Sequence, residues 1–409
     1  MNRITIMKRT LFTTFACVLA FSAGATHFPP TTTAAVKRLA HDETHLYILH
    51  YDCLEVLEKA TGKTVCYTQA SGHIPEGNIN SNGPNGKEPA LNALAVHDGT
   101  VWVGGNDFLT AIVGEDAQSW HFSYDITISI PTYPYIPNMP MPFNCITFDS
   151  KNRMYLGGND QVGYLKEPGK AVFVGLPDNM SNGAEVWQML VGKDDVVWVS
   201  YTSDSGHNSL IKYTAGGEVE EMSSKLGLGN HIKALALDKD KNLWFGTNNS
   251  PKLFCYDGET LEEYEIVKIA GGWMYSGICC MSFDEKGRLW LLQSNSQELG
   301  YGHYSTGPLC CFSDGELTEY PLPEDVGLCY CLDVDGEDVY VGTDKGVFQF
   351  AQNKLINLDV SPYTETTLKT IEKQPQDIHN EAYDLQGRKL KTDKAVKIHI
   401  EKGRIVLGH

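Results

Sequence analysis

The sequence predicts an all-β protein, a seven-bladed β-propeller of four-stranded blades followed by a small β tail. A unit consisting of an apolar strand, a polar turn and an aromatic strand recurs seven times, and each unit continues with two further strand-like segments. The composition is rich in turn-forming glycine (39 residues) and in strand-forming tyrosine (20 residues). Four short strands in a repeat of about 40–50 residues are typical of a propeller blade.

The chain begins with the features of a secretory signal peptide, predicted for residues 1–25. Three basic residues precede the short apolar run Leu11–Phe21, and Ala23–Ala25 is a small-residue cleavage pattern. We therefore expect an exported protein, located in the periplasm, on the cell surface or outside the cell. No later run reaches about 18 apolar residues, so we expect no membrane-spanning segment in the mature chain.

The propeller is predicted for residues 34–360, where each unit carries an aromatic residue in its second strand. These residues recur every 43–55 positions, and they are Tyr47, Trp102, Tyr155, Trp198, Trp244, Trp290 and Tyr340. An Asp commonly precedes the turn, and a Gly commonly ends the aromatic strand. Seven units predict seven blades, whose radial closure protects the edges of the sheets. An open β-solenoid is the alternative, but its repeats are usually shorter.

Two of the units resemble a known repeat. The fifth reads LWFGT at Leu243–Thr247 after the turn DKDKN, and the seventh reads DVYVGTDKGVFQF at Asp338–Phe350. Both are similar to the two-component-regulator propeller repeat, and the resemblance extends over about residues 36–360. In that family the repeats commonly form the periplasmic sensor half of hybrid histidine kinases. The residues after the propeller do not resemble a kinase, so the resemblance implies the fold and not the signalling role.

Residues 361–409 are predicted to form a linker and a C-terminal β-hairpin. A polar stretch leads to YDLQGRKL at Tyr383–Leu390, and the last segment reads as a strand, a tight turn at Lys402–Gly403 and a strand. The YDLQGR core resembles the type IX secretion sorting cassette of secreted Bacteroidetes proteins, although Val396–Ile398 stands where that cassette usually has Gly-Ile-Tyr. The resemblance implies a Bacteroidetes protein with an envelope or extracellular location.

The charge balance and the cysteines exclude some classes of function. The chain has 51 acidic and 33 basic residues, a formal charge of −18, whereas a nucleic-acid surface needs a basic stripe. Ten cysteines follow the predicted leader, and we expect mainly buried apolar thiols because a chain of this size builds a core without disulfides. The alternatives are a disulfide, with Cys53 and Cys66 as one candidate pair, and a metal site. We predict neither a metal nor a cofactor.

Long connections point to one face of the predicted propeller. In this fold, loops from strand four to the next strand one open on the same face as loops from strand two to strand three. The long segments fall almost entirely on that face, at residues 69–88, 127–142, 201–209, 270–277 and 293–308. We call it the long-loop face. Because binding residues concentrate on such loops, this face is the predicted binding surface.

The long segments are rich in aromatic rings, imidazoles and amides. These groups suit sugars or peptides, since rings cover apolar surfaces and polar groups fix orientation. Trp187 and His231 are expected at the ends of inner strands on the same face. The predicted ligand-binding residues are Trp187, Tyr201, His207, His231, Trp273, Tyr275, Tyr301 and His303. For any single ring, packing of the loop itself is the competing interpretation.

The sequence therefore predicts an exported propeller that binds a glycan or a peptide without catalysing a reaction. One alternative is a lyase similar to the virginiamycin B lyase family, which uses His and Glu on one face. Its candidate residues would be His207, His231, His303, Glu185 and Glu298. The other alternative is a protein-interaction scaffold in an envelope complex, where the acidic surface would attract a basic envelope protein.

Overall fold

A computed structural model describes most of the chain between residues 35 and 408. The described ranges are 35–76, 90–124, 139–140, 142–159, 161–167, 170–176, 185–202, 208–214, 217–228, 232–247, 252–266, 277–294, 307–358, 397–401 and 404–408. The chain divides into two units, Met1–Pro362 and Tyr363–His409. The predicted leader lies outside the described residues.

The first unit contains seven antiparallel sheets of four consecutive strands each. Blade 1 contains β1 (Arg38–His41), β2 (His45–Leu49), β3 (Leu54–Glu58) and β4 (Thr64–Tyr67). Blade 2 contains β5 (Ala93–His97), β6 (Thr100–Gly104), β7 (Phe108–Val113) and β8 (Asp116–His121). Blade 3 contains β11 (Phe143–Phe148), β12 (Met154–Gly158), β13 (Gln161–Glu167) and β14 (Lys170–Gly175). Blades 2 and 3 are separated by the short pair β9 (Ser123–Tyr124) and β10 (Met139–Pro140).

The remaining blades follow the same plan. Blades 4 to 7 are made of β15 (Glu185–Val191), β16 (Val197–Thr202), β17 (Asn208–Tyr213), β18 (Val219–Glu221); β19 (Ile232–Leu237), β20 (Leu243–Thr247), β21 (Lys252–Tyr256), β22 (Leu261–Glu265); β23 (Gly277–Phe283), β24 (Leu289–Ser294), β25 (Leu309–Ser313), β26 (Glu316–Tyr320); and β27 (Cys329–Asp335), β28 (Asp338–Thr343), β29 (Gly346–Ala351), β30 (Lys354–Asn357). A 3₁₀ turn at Lys193–Asp195 precedes β16. The prediction of seven four-stranded blades is confirmed.

The recurring Asp and the recurring aromatic residue are joined by a hydrogen bond. In blade 5, Oδ1 of Asp238 accepts from the backbone N–H of Asn242 at 2.9 Å, and Oδ2 accepts from the indole N–H of Trp244 at 3.1 Å. The same bond joins Asp42 to Tyr47 at 2.6 Å, Asp149 to Tyr155 at 3.2 Å and Asp284 to Trp290 at 3.0 Å. The repeated sequence pattern therefore fastens the first turn of a blade to its second strand.

The recurring Gly lets neighbouring blades approach closely. A Cβ atom on Gly157 would lie 2.6 Å from Cγ1 of Val186, in the inner strand of the next blade. Equally close approaches occur between Gly104 and Phe143, between Gly246 and Ile278, and between Gly342 and Val36. In these four blades the Gly near the end of the second strand leaves no room for a side chain, because the next blade packs against it.

Seven hydrophobic clusters of described residues fill the spaces between adjacent blades. The last of them packs Val36 and Leu46 of blade 1 with Tyr340 of blade 7. The backbone N–H of Val36 also donates to the carbonyl of Thr343 at 2.9 Å. The ring is therefore closed by contacts between two complete blades, which excludes the open solenoid.

The second unit has one described element, an antiparallel hairpin of β31 (Lys397–Glu401) and β32 (Arg404–Gly408). Ile398 lies opposite Leu407 in this pair. The YDLQGR motif lies outside the described residues. Where the chain is described, no helix is long and apolar enough to cross a bilayer.

Candidate functional site

The inner strands of the blades share an irregularity near their beginnings. In blade 3 the register between β11 and β12 shifts between Phe143 and Cys145, so Asn144 is an extra residue in the ladder. The inner strands of blades 4 to 7 carry the same bulge, at Trp187, Lys233, Cys279 and Tyr330. A β-bulge changes the direction of the side chain that it carries and often occurs beside functional sites.

Blades 1 and 2 have residues at the equivalent position. The backbone N–H of Lys37 donates to Leu49 at 2.8 Å, and that of Asn92 donates to Gly104 at 2.9 Å. One residue from each blade thus forms a ring around the central channel, which we call the mouth ring: Lys37, Asn92, Asn144, Trp187, Lys233, Cys279 and Tyr330. The inner strands begin at the long-loop face, so the ring lies at that end of the channel.

The mouth ring encloses a cavity of about 610 Å³. Each ring member except Lys233, whose side chain lies outside the description, contributes to its wall. Further polar side chains line the same cavity: Arg38, Asn159, Glu185 and Gln188. The cavity volume and the mixture of rings, amides and charges suit a small polar ligand or the end of a larger one.

Lys37 is held firmly in this wall. Its Nζ donates to the carbonyl of Leu91 at 3.0 Å and to Oδ1 of Asn92 at 2.8 Å, and it lies 4.6 Å from the ring centre of Tyr51. Burial lowers the pKa of Lys37 to about 8, and the charge of Arg38 adds to this effect while that of Glu185 opposes it. The ammonium group is thus kept in a place that disfavours its charge.

Arg38 places a second cation in the cavity. Its guanidinium donates to the carbonyl of Lys37 at 3.4 Å. Its charge also opposes the rise in pKa that burial causes for the thiols of Cys145 in blade 3 and Cys331 in blade 7. The field of Arg38 therefore reaches the inner strands of other blades, as expected for a charge that projects toward the channel.

Polar contacts between adjacent inner strands fix the wall of the cavity. The thiol of Cys145 donates to the carbonyl of Trp187 at 3.0 Å, and that of Cys280 donates to Tyr330 at 3.2 Å. The amide of Gln188 bonds both backbone groups of Leu235, at 2.9 and 2.8 Å. The backbones that carry the ring are thereby tied to their neighbours, which gives the cavity a fixed wall.

A group of buried polar side chains lies in the turn between β2 and β3, also on the long-loop face. His50 and Glu55 are each 2% exposed and approach to 3.5 Å. Within the described part of the chain, the ring nitrogens of His50, Oε2 of Glu55 and Oδ1 of Asp52 have no hydrogen-bond partner. Burial raises the pKa of Asp52, an effect that the charge of His50 opposes. Unsatisfied buried polar groups are rare in native proteins.

The cysteines are mainly buried thiols, as the sequence analysis favours. All ten that follow the predicted leader are free, and only Cys66 and Cys280 are partly exposed. The thiols of Cys53 and Cys66 are hydrogen-bonded to each other, but they form no disulfide. No three His, Cys, Asp or Glu side chains of the described residues are grouped to hold a metal ion.

Two of the predicted ligand-binding residues are described. Trp187 is a member of the mouth ring and lines the cavity. Tyr201 is fully buried, in the cluster that packs β12 against β15 and β16, so its ring faces the core between blades 3 and 4. The others lie outside the described residues: His207, His231, Trp273, Tyr275, Tyr301 and His303. Of the lyase candidates, Glu185 lines the cavity, and Glu298 is also outside the described residues.

Sequence reasoning did not identify Lys37, Arg38, Asn92 and Asn144 as candidates. Each is an ordinary polar residue at the beginning of an apolar strand, without a motif of its own. The available signal was positional, since aligned repeats place one residue per blade at the same point before the inner strand. The fold itself shows that these residues line the cavity in the channel.

Comparisons with known proteins support the fold. The family Two component regulator propeller matches residues 227–249, which contain β19 and β20 of blade 5. No curated protein sequence matches the chain.

Three solved structures illustrate the similarity. Virginiamycin B lyase from Staphylococcus aureus is 14% identical, with a TM-score of 0.55 over 78% of this chain and 94% of that one. The extracellular domain of a hybrid two component system from B. thetaiotaomicron is 15% identical, with a TM-score of 0.54 over 78% of this chain and 39% of that one. YCF48 bound to D1 peptide is 13% identical, with a TM-score of 0.53 over 81% and 94%. The chain is thus a seven-bladed β-propeller whose fifth blade matches the two component regulator propeller repeat.

Proposed function

We propose that this protein is an exported receptor that binds a glycan or a peptide at the mouth ring, on the long-loop face, without catalysing a reaction. The observation that carries the proposal is the bulge in the inner strands of blades 3 to 7, which together with the equivalent positions in blades 1 and 2 brings residues from several blades around a cavity of about 610 Å³. The seven equivalent positions carry five different residue types, a variation that a binding surface uses and a purely structural repeat does not need.

The chemistry of the ring agrees with this class of ligand. Trp187 and Tyr330 offer flat surfaces for a sugar ring or an apolar side chain. Asn92 and Asn144 offer amide groups for hydroxyl or peptide groups. The long segments beside the ring would contribute His207, His231, Trp273, Tyr275, Tyr301 and His303 to the same site. Tyr201 would support the site from the core.

Two of the similar structures are consistent with the proposal. YCF48 is a propeller bound to a peptide, and the two component system carries its propeller in an extracellular domain. The leader-like residues 1–25 and the sorting-like tail of this chain support the same location. We therefore place the receptor in the cell envelope or outside the cell.

A thermal-shift screen against glycan fragments and peptides tests the proposal. A ligand at 100 times its Kd stabilises the folded state by about 2.7 kcal/mol, which raises the melting temperature measurably. The shift should disappear in Trp187→Ala and persist in Trp120→Ala, which removes a half-buried indole from the outer strand of blade 2. A ligand whose effect survives Trp187→Ala would place the binding site elsewhere.

A turnover assay and a capture assay on the same variants separate the two alternative functions. Chemical turnover of a bound ligand, lost in His303→Ala or His231→Ala while binding persists, would support a lyase. A protein partner captured in a salt-dependent manner, with no small ligand binding, would support an envelope scaffold. The proposed receptor is expected to return its ligand unchanged.

A further inference from the structure

The wall of the cavity contains two described cations, Lys37 of the mouth ring and Arg38 beside it, in a protein with a formal charge of −18. Lys37 and Arg38 are adjacent, both half-buried, and both line the cavity. Among the described residues that line the cavity, Glu185 supplies a carboxylate whose charge acts on Lys37, so two cations face one anion. A pair of like charges that is partly removed from water destabilises the folded state unless an anion accompanies it.

The hydrogen bonds of Lys37 show that its position is built into the wall. Two acceptors from blade 2 hold the ammonium group, Leu91 at 3.0 Å and Asn92 at 2.8 Å, and the ring of Tyr51 lies beneath it. Burial lowers its pKa to about 8, so the group is still mainly charged at neutral pH. A lysine side chain that only extended into solvent would not make these contacts.

The charges in the wall favour a monoanion. Lys37 and Arg38 contribute two positive charges and Glu185 one negative charge, a net charge of about +1 for the three groups. A carboxylate matches this charge, and its two oxygens match the planar donors of a guanidinium. A phosphate monoester would bring nearly two negative charges, one more than these three groups balance.

We infer that the mouth ring selects ligands that carry a carboxylate, and that Lys37 and Arg38 bind this group together. The inference rests on the proposed function, which it narrows from any glycan or peptide to an acidic one. Two sources provide the same chemistry, the carboxylate of an acidic sugar and the C-terminal carboxylate of a peptide. Asn144 and Trp187, on the opposite part of the ring, would contact the rest of the ligand.

Titration calorimetry with matched pairs of probes tests the inference on the full chain. One pair is digalacturonate and its methyl ester, and the other is a tetrapeptide with a free C-terminus and its C-terminal amide. In the pair that represents the true ligand, the acid should bind at least tenfold more tightly than the neutral form. The pair that shows this difference identifies the source of the carboxylate.

Three variants assign the effect to the cations. Lys37→Met and Arg38→Gln should each weaken binding of the acid about tenfold more than binding of the neutral form, because only the acid loses a charged partner. Lys151→Met, which removes an exposed lysine from the opposite face, should change neither. Melting curves of all three variants verify that each is folded.

Several outcomes would overturn the inference. The inference is wrong if the acid and neutral forms bind with equal affinity. It is also wrong if neither Lys37→Met nor Arg38→Gln weakens binding of the acid, or if no acid probe binds. If neutral glycans or peptides still bind and depend on Trp187, the proposed receptor function stands and only the carboxylate preference is wrong. If no ligand of either kind depends on Trp187, the proposed function fails as well.

Discussion

The indole N–H of Trp290 donates a hydrogen bond of 3.0 Å to Oδ2 of Asp284, which begins the turn six residues earlier in the chain. The same carboxylate accepts the backbone N–H groups of Lys286 at 3.0 Å and Arg288 at 2.8 Å, and the guanidinium of Arg288 at 2.6 Å. Asp284 is 7% exposed, so these bonds replace its water. A single carboxylate thus fixes both the turn and the second strand of blade 6.

Removal of this carboxylate should destabilise the protein. Asp284→Ala leaves a buried indole N–H and two backbone N–H groups without their acceptor, and we expect a loss of about 2–4 kcal/mol in the free energy of unfolding. Asp240→Ala, at an exposed position of the corresponding turn in blade 5, should cost less than about 0.5 kcal/mol. Urea unfolding of both variants measures the difference, and similar losses would contradict the assigned role.

The same aspartates predict a loss of stability in acid. For Asp42 and Asp284, burial alone would raise the pKa, but hydrogen bonds from Tyr47 and Trp290 and from the turn outweigh it and lower the pKa. The unfolded chain therefore binds more protons than the folded one as the pH falls from about 5 through the folded pKa values. Stability should be complete above about pH 5 and should decrease below it.

Unfolding in urea at several pH values between 3 and 7 measures this slope. Asp284→Asn should show a smaller decrease than the wild-type protein, because the titrating group is gone. If the free energy of unfolding of this variant decreases with falling pH as steeply as that of the wild-type protein, Asp284 does not contribute to the loss of stability in acid.

Close packing between blades 3 and 4 makes replacement of Gly157 costly. A Cβ atom on Gly157 would lie 2.5 Å from Sδ of Met189 and 2.6 Å from Cγ1 of Val186. We expect Gly157→Ala to cost about 1–3 kcal/mol in the free energy of unfolding, as other overpacked cores do. The double variant Gly157→Ala/Val186→Ala should cost less than the sum of the two single changes. Strict additivity would contradict a steric cause.

The buried thiols should react slowly in the folded protein. Burial raises the pKa of Cys145 to about 11 and those of Cys255, Cys310 and Cys329 to about 12. At pH 8 fewer than roughly one in a thousand of these groups is a thiolate, the form that reacts. We expect a thiol reagent to modify Cys66 and Cys280 first and the others only on unfolding. Rapid modification of the buried cysteines in the folded protein would contradict this prediction.

The contact between blades 1 and 7, which closes the propeller, makes the stability depend on pH in a second way. His41 of blade 1 lies 2.7 Å from Asp333 of blade 7, and this hydrogen bond outweighs burial and raises the pKa of His41. The stabilisation is complete below about pH 6.5, the value expected for the unfolded chain, and is lost as the pH rises through the folded pKa. Asp333→Asn should remove this decrease and cost about 1 kcal/mol at pH 6, and an unchanged pH profile would contradict the role of the pair.

The sequence was sufficient to predict the architecture because each repeated residue has a local task. The Asp, the aromatic residue and the Gly recur since each blade needs a capped turn, a fastened strand and close contact with the next blade. Each of these tasks recurs in several of the seven blades and stands out against a variable background. The number of blades follows from counting the units.

The site was less accessible because its residues differ from blade to blade. The place of Trp187 at the end of an inner strand predicts its role, whereas Lys37 and Asn92 belong to the site through backbone positions equivalent to those of the bulges. The sequence places Tyr201 in a long segment of the long-loop face, but Tyr201 belongs to β16, whose alternation turns the ring into the core. Periodicity identifies strands, but a bulge interrupts periodicity and redirects side chains.

Photo-crosslinking tests most directly whether ligands bind at the mouth ring. A glycan or peptide identified by the thermal-shift screen would carry a photoreactive group, and mass spectrometry would locate the attachment sites. Binding at the ring predicts crosslinks to the beginnings of inner strands, at residues 36–39 and 185–190. Crosslinks confined to the turns of the opposite face, at residues 149–153 and 192–196, would contradict the central claim.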